Sequence, residues 1–211
     1  MNSVVFRKLY GKFLPSDRSA MVIDVGCGQG SLVHWLHSAG YHQAEGIDIN
    51  RDRVDFGIQA GVKNLHHGDA MSFLRDKRER YDVVFLVDIL SYLSKEEIRD
   101  LLDTVSGVLK PGGTLIVKNA NAESPMAGRL QHADFKREVN FTESSLKNVL
   151  RNVGFKKVGA YPLRPVVHGV KSFVRYCLWR FVEGILKFYR LIETGSPHGV
   201  FTQSIIVVAN K

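Results

Sequence analysis

Cysteine is nearly absent from this 211-residue chain: only Cys27 and Cys177 occur, 150 positions apart. That scarcity excludes a disulfide-stapled secreted scaffold. No run of 18 apolar residues is present, so no membrane-spanning helix is expected. The opening stretch, MNSVVFRKLYGKFLPSD, lacks an unbroken apolar core before a small-residue cleavage site. It predicts no signal peptide, and a cytoplasmic chain is expected. Repeats, low-complexity tracts and a linker are also missing, which points to one domain over 1–211. The eight histidines are scattered, and the adjacent pair His66–His67 would point to opposite faces of a strand, so no metal site is expected.

What is present is an uneven charge. Residues 1–105 hold 13 Lys and Arg against 15 Asp and Glu, a net of −2; residues 106–211 hold 16 against 6, a net of +10. Such asymmetry fits either contact with an anionic partner or a basic face that keeps the chain soluble.

Short β-rich runs alternate with helical patterns, which predicts βαβ units and a parallel sheet. Strands are expected at 20–25, 43–49, 62–67, 81–88, 114–120, 155–163 and 200–210. The run YDVVFLVD (81–88) is almost continuously apolar, as for a strand buried on both faces. Helices are expected at 31–39, 51–60, 94–109, 142–153 and 170–193. Ser94 with Glu97 reads as a capping box, and Thr142 as an N-cap. An N-terminal helical extension covers 1–19, and a loop covers roughly 121–141.

VIDVGCGQGSL places Asp24, Gly26, Cys27, Gly28 and Gly30 where the first strand turns into its helix. Glycines there let the backbone turn sharply and let a ligand approach closely. Ser31 stands where a dinucleotide fingerprint would need its third glycine, and a carboxylate beside the loop would repel a pyrophosphate. Both features argue against a NAD-dependent dehydrogenase and suit a positively charged ligand, such as a sulfonium with an α-amino group. Asp48 ends the second strand, where a carboxylate accepts from both ribose hydroxyls. Asp69 and Asp88 end the third and fourth strands, so four acids gather at the carboxyl edge of the sheet; the alternative is four ordinary helix caps.

These motifs, with GIDI, GDA, FLVDILSYL and LKPGGTLIVKNA, resemble the class I S-adenosylmethionine-dependent methyltransferases over nearly the whole chain. The resemblance implies a Rossmann-like α/β fold: a seven-stranded, mostly parallel sheet with flanking helices and a C-terminal antiparallel strand. It implies S-adenosylmethionine as cofactor, with Asp24 and the Gly26–Gly30 loop, Cys27 included, at its methionine part. Asp48 would take the ribose, Asp69 and Ala70 would flank the adenine, Asp88 would line the transfer pocket, and Ile49 would be a further cofactor-binding residue. The second half, with NAESP, DFKRE and LIETGSPHGVFTQSIIVVAN, is similar to methyltransferases of bacterial surface-polysaccharide biosynthesis. Two histidines frequent in those relatives are replaced, by the Lys136–Arg137 pair and by Ser91–Tyr92.

The expected reaction is methylation of a hydroxyl on a cell-surface glycan, its lipid-linked precursor or another small polar acceptor. A base is then needed, and His132, Asp134 and Glu138 are the candidates. Tyr92, Lys136 and Arg137 are expected to bind the acceptor, the two cations through charge-assisted hydrogen bonds if it is anionic. An RNA acceptor and a non-catalytic cofactor-binding module are the alternatives, nucleic acid being the weaker partner. No N/D-P-P-Y/F sequence for amine methylation occurs, and neither cysteine sits where an acceptor-side nucleophile would.

The helix at 170–193 has Val174, Leu178, Phe181, Ile185, Phe188 and Ile192 on one face. Lys171, Arg175, Glu183, Arg190 and Glu193 lie on the opposite half, with Arg180 and Lys187 at its edge and Trp179, Leu186 and Tyr189 among those charges. It is expected either to pack on the sheet or a dimer partner, or to lie on an anionic membrane at its inner face.

Overall fold

A computed structural model describes residues 3–211, so Met1 and Asn2, part of the expected N-terminal extension, lie outside the described residues. The strands are β1 (Val22–Val25), β2 (Glu45–Asp48), β3 (Leu65–His67), β4 (Tyr81–Val87), β5 (Leu109–Ala120), β6 (Lys156–Pro162) and β7 (Ser204–Asn210). They form one sheet in the order β3-β2-β1-β4-β5-β7-β6. β7 pairs antiparallel with both β5 and β6, and the other pairings are parallel. The architecture is the Rossmann-like seven-stranded one.

Two helical layers cover the sheet. On one face β1, β4 and β5 bury Ile23, Val25, Val84, Leu86, Leu115 and Val117 against α4 (Ala70–Leu74), α5 (Lys95–Val108) and α7 (Glu143–Asn152). On the other, Val22, Val83, Phe85 and Ile116 meet Phe6, Leu9 and Tyr10 of α1 (Ser3–Tyr10) and Trp35 and Leu36 of α2 (Ser31–Ser38). The side-chain period of two along each strand divides these sets. The packing of α1 on the sheet fixes Tyr10, which is fully buried. A smaller cluster of Cys27, Val33, Val54, Val62 and Leu65 seats α3 (Arg51–Gln59).

Several boundaries differ from expectation. β3 begins at Leu65 rather than at 62, because Asn64 takes a φ of +57° that breaks the extended run. β5 extends back to Leu109 through a bulge: Tyr81 pairs with Leu109, and the register resumes at Val83 opposite Thr114. β7 starts at Ser204 because the carbonyls of Val200 and Thr202 are taken by the Asn121 side chain. The 121–141 loop contains a short helix, α6 (Ala127–Gln131).

The long helix α8 (Val170–Thr194) is the largest departure from a sheet-packed reading. Ser172 and Glu183 are its buried residues. Glu183, 3% exposed, accepts from Arg164 Nε at 3.0 Å and Nη2 at 2.8 Å, and from Arg180 at 3.0 Å. The apolar face turns outward, with Phe181 at 70% and Phe188 at 64% exposure. The helix is held to the body by its polar side. Among the described residues, no helix is long and apolar enough to cross a membrane.

Candidate active site

The carboxyl ends of β1, β2 and β4 open onto a cleft of about 450 Å³. Its walls include Gly26, Asp48, Ile49, Asp69, Ala70, Asp88 and Tyr92, residues drawn from four separate stretches of the sequence. Ile47, Arg53, Gly68, Met71, Val87, Ile89, Leu93, Glu97, Asp100 and Leu101 complete it, and none of them was read from the sequence as a site residue. Several of these sit at helical spacing on α5 or its approach, where an apolar or acidic residue reads only as a helix face.

Gly26 lines the floor, while Gly28 and Gly30 of the same loop are not among the lining residues. Gly26 has φ +77°, and a Cβ there would stand 2.9 Å from Ile89 Cδ1; Gly30 has φ +74°, and its Cβ would stand 2.7 Å from both Leu65 methyls. Left-handed backbone and lack of space together require glycine at both positions. Gly28 donates its N–H to Asp48 Oδ2 at 2.7 Å, and Asn50 donates to Asp48 Oδ1 at 2.8 Å. Asp48 is thus held rigidly, with capacity left on both oxygens. The N–H groups of Gly26 and Cys27 are already given to the Ile47 carbonyl. The Cys27 side chain points into the α3 cluster, not into the cleft, and burial pushes its thiol well above the ordinary range.

Asp24 lies behind the floor. It is 3% exposed, and its Oδ1 has no hydrogen-bond partner. Burial, reinforced by Asp48, pushes its carboxyl up to about 8. The Tyr10 hydroxyl is likewise buried and unpartnered; burial, then Asp24 and Asp88, raise it far above the usual phenol range. Tyr10 was not anticipated: it reaches this place from α1, and no local pattern around it signals a site. Asp88 holds a φ of +59°, unusual for a residue with a Cβ, and pairs with Lys118 of β5. Asp69 caps α4, accepting from the Ser72 N–H at 2.8 Å and the Ser72 hydroxyl at 2.9 Å, which holds its carboxyl below the ordinary range. The capping alternative is therefore real for Asp69, though the same residue lines the cleft.

The acceptor-side residues are only partly brought together. Ser91 accepts the Glu138 N–H at 2.8 Å and donates to Asn119 at 3.1 Å, tying the 132–138 segment to the cleft wall. Tyr92 lies beneath Arg137, whose Cζ is 5.3 Å from the ring centre. The Arg137 Nε and Nη1 atoms are buried without partners. Hydrogen bonds from the Lys136 backbone and from Tyr92, helped by the charges of Lys136 and Arg137, hold Asp134 below the usual carboxylate range. Its weak basicity counts against it as a proton acceptor. His132, Lys136 and Glu138 are exposed and do not line the cleft. Among the described residues, no three His, Cys, Asp or Glu side chains form a metal-binding group.

Comparison with known proteins follows the same line. A family model described as a methyltransferase domain matches residues 3–159. The O-methyltransferase resE of Aspergillus sclerotiorum is 24% identical over 175 residues, covering 78% of this chain and 65% of that protein. An uncharacterised protein of Rickettsia prowazekii is 26% identical over 117 residues, covering 52% of this chain and 46% of its own length. The chain therefore spans about half to two-thirds of these relatives. A SAM-dependent methyltransferase from Archaeoglobus fulgidus superposes with a TM-score of 0.74 at 19% identity, over 100% of this chain and 95% of that one; at this identity the likeness speaks for the fold. With the family match running from α1 into β6, the chain belongs to the methyltransferase domain family.

Proposed function

We propose that this chain transfers a methyl group from S-adenosylmethionine to a hydroxyl of a cell-surface glycan or its lipid-linked precursor, working on the cytoplasmic side of a membrane. The carrying observation is an acid-lined, glycine-floored cleft backed by a buried, unpartnered Asp24 oxygen. A cationic amino-acid group suits that oxygen, because a buried carboxylate without a partner is costly. The two-fold hydrogen-bonded Asp48 suits a ribose diol, and the exposed apolar Ile49 beside Ala70 suits a flat base. When bound, the cofactor supplies an electrophilic methyl on a good leaving group.

The chain's residues then have to align and desolvate the acceptor, which carries much of such a reaction. Tyr92 forms the wall next to the acceptor segment. Arg137, with two buried N–H groups free of partners, suits an anionic group on the acceptor such as a carboxylate or phosphate. The hydroxyl proton still needs an acceptor, and His132, Asp134 and Glu138 are the candidates, Asp134 being the one joined to the cleft through Tyr92. The name of resE supports an oxygen acceptor.

Calorimetry with S-adenosylmethionine, followed by transfer of labelled methyl to glycan fractions, tests the reading. Binding together with labelling supports it. Binding without labelling of any acceptor favours the non-catalytic module, and preference for a pyrophosphate dinucleotide overturns the cofactor assignment. With an anionic acceptor, Arg137→Ala is expected to raise KM on the order of tenfold, with Arg137→Lys recovering part of the loss.

A further inference from the structure

We infer that α8 is a docking helix for an anionic lipid bilayer, lying flat on the surface with its apolar face inserted. The first ground is the inversion of the helix. An ordinary surface helix turns its apolar stripe to the core and its charges to water. Here Glu183 is turned inward and pinned by Arg164, while Val174, Leu178, Phe181, Ile185, Phe188 and Ile192 face outward. The outer face carries no charge along seven turns of helix, roughly 37 Å at 1.5 Å per residue. A contiguous exposed apolar surface of this kind marks an interaction site.

The second ground identifies the occupant. Lys171 and Arg175 border one side of the stripe; on the other side Arg180 and Lys187 lean to Glu183, at 3.0 and 3.7 Å. Of the two acids of α8, Glu183 is buried and Glu193, near the C-terminal end, is exposed; among the described residues Lys171 and Arg175 form no ion pair. An apolar strip framed by cations is complementary to acyl chains below anionic headgroups. A groove of about 640 Å³ runs along the flank between α1 and α8 and shares Leu178 and Val182 with the outer face. Trp179 and Arg175 line it together. Apolar walls with an indole and a guanidinium among them match the boundary between acyl chain and headgroup.

The placement also has a direction. Arg190, near the C-terminal end of α8, bonds Glu123 at 3.1 Å, just beyond β5 on the acceptor side of the cleft. A bilayer under α8 would thus lie next to the segment that carries Tyr92's neighbours.

Flotation of the intact protein through a density gradient tests this without reference to catalysis. Vesicles of phosphatidylcholine with phosphatidylglycerol should carry the protein upward, and vesicles of phosphatidylcholine alone should carry far less. Phe181→Glu/Phe188→Glu, at exposed positions, should lower partitioning on the order of tenfold or more while keeping the circular-dichroism melting curve and cofactor binding. Lys171→Glu/Arg175→Glu should reduce binding to the level seen with uncharged vesicles. Wild-type protein left at the bottom with anionic vesicles, or equal flotation of wild type and the Phe variant, overturns the inference. So does a lipid-free dimer, seen by light scattering, that the Phe variant splits into monomers, since a second copy would then be the occupant.

Discussion

Asp48 is the best-secured acid in the cleft, because each of its oxygens already holds a backbone N–H. Asp48→Ala removes the ribose acceptor and strands the Gly28 and Asn50 donors. S-adenosylmethionine affinity is expected to fall on the order of tenfold or more by calorimetry. An unchanged dissociation constant would remove the ribose assignment. Asp24 gives a prediction in pH. Its carboxyl is raised from 3.8 to about 8, so between those values the native chain keeps a proton that the unfolded chain gives up. The contribution of this group is fullest below about pH 4, declines as pH rises and levels off above about pH 8. Asp24→Asn should therefore melt higher relative to wild type at about pH 9 than at about pH 6. A cation seated beside Asp24 favours its ionised form, so binding near neutrality should release protons, seen as a heat that varies with the buffer's ionisation enthalpy and vanishes in Asp24→Asn. Asp24, the glycines and Asp48 were legible because one short strand-turn-helix pattern carries them. Tyr10 and Lys118 were not: they arrive from α1 and β5, and nothing local in their sequence marks a distant carboxylate.

At the level of elements, β1 to β4 could be read because each is a short run ended by glycine or aspartate, and β4 is almost continuously apolar. The capping boxes at Ser94 and Thr142 open α5 and α7 where the spacing predicts. The face α8 turns inward could not be read. Spacing says which side chains share a face but not which face meets the protein, and here the decision rests on Glu183 and Arg164, 19 residues apart with no pattern joining them. Glu183→Ala leaves a half-buried guanidinium without its carboxylate and releases the anchor of α8. A loss of about 1–3 kcal/mol in urea unfolding is expected, with new protease cuts between Arg164 and Gly195 while the cleft still binds its ligand. Protection of that segment equal to wild type would show that α8 is held by something else. The short β3 and the bulge in β5 escaped for a related reason: each turns on one backbone angle or register step, which propensity does not encode.

At the scale of the molecule, the charge halves of the sequence become separate regions. The cleft presents Asp48, Asp69, Asp88, Glu97 and Asp100 against Arg53, although the chain as a whole is +8. The basic excess lies elsewhere: α8 holds five Lys and Arg against two Glu, while residues 121–141 hold three against three. A strongly basic groove for a nucleic-acid backbone would make acceptor affinity fall steeply with salt. If Arg137 meets a single anionic group instead, the logarithmic slope of kcat/KM against salt should be shallow, about −1. A steep slope would favour RNA as the acceptor. The order of the strands carries one more consequence. β7 is threaded between β5 and β6, so on a nascent chain the parallel half of the sheet can close while β6 still has no neighbour to join. Until residues 204–210 emerge from the ribosome, β6 stays unpaired, and Arg164 just after it has no fixed place from which to hold α8.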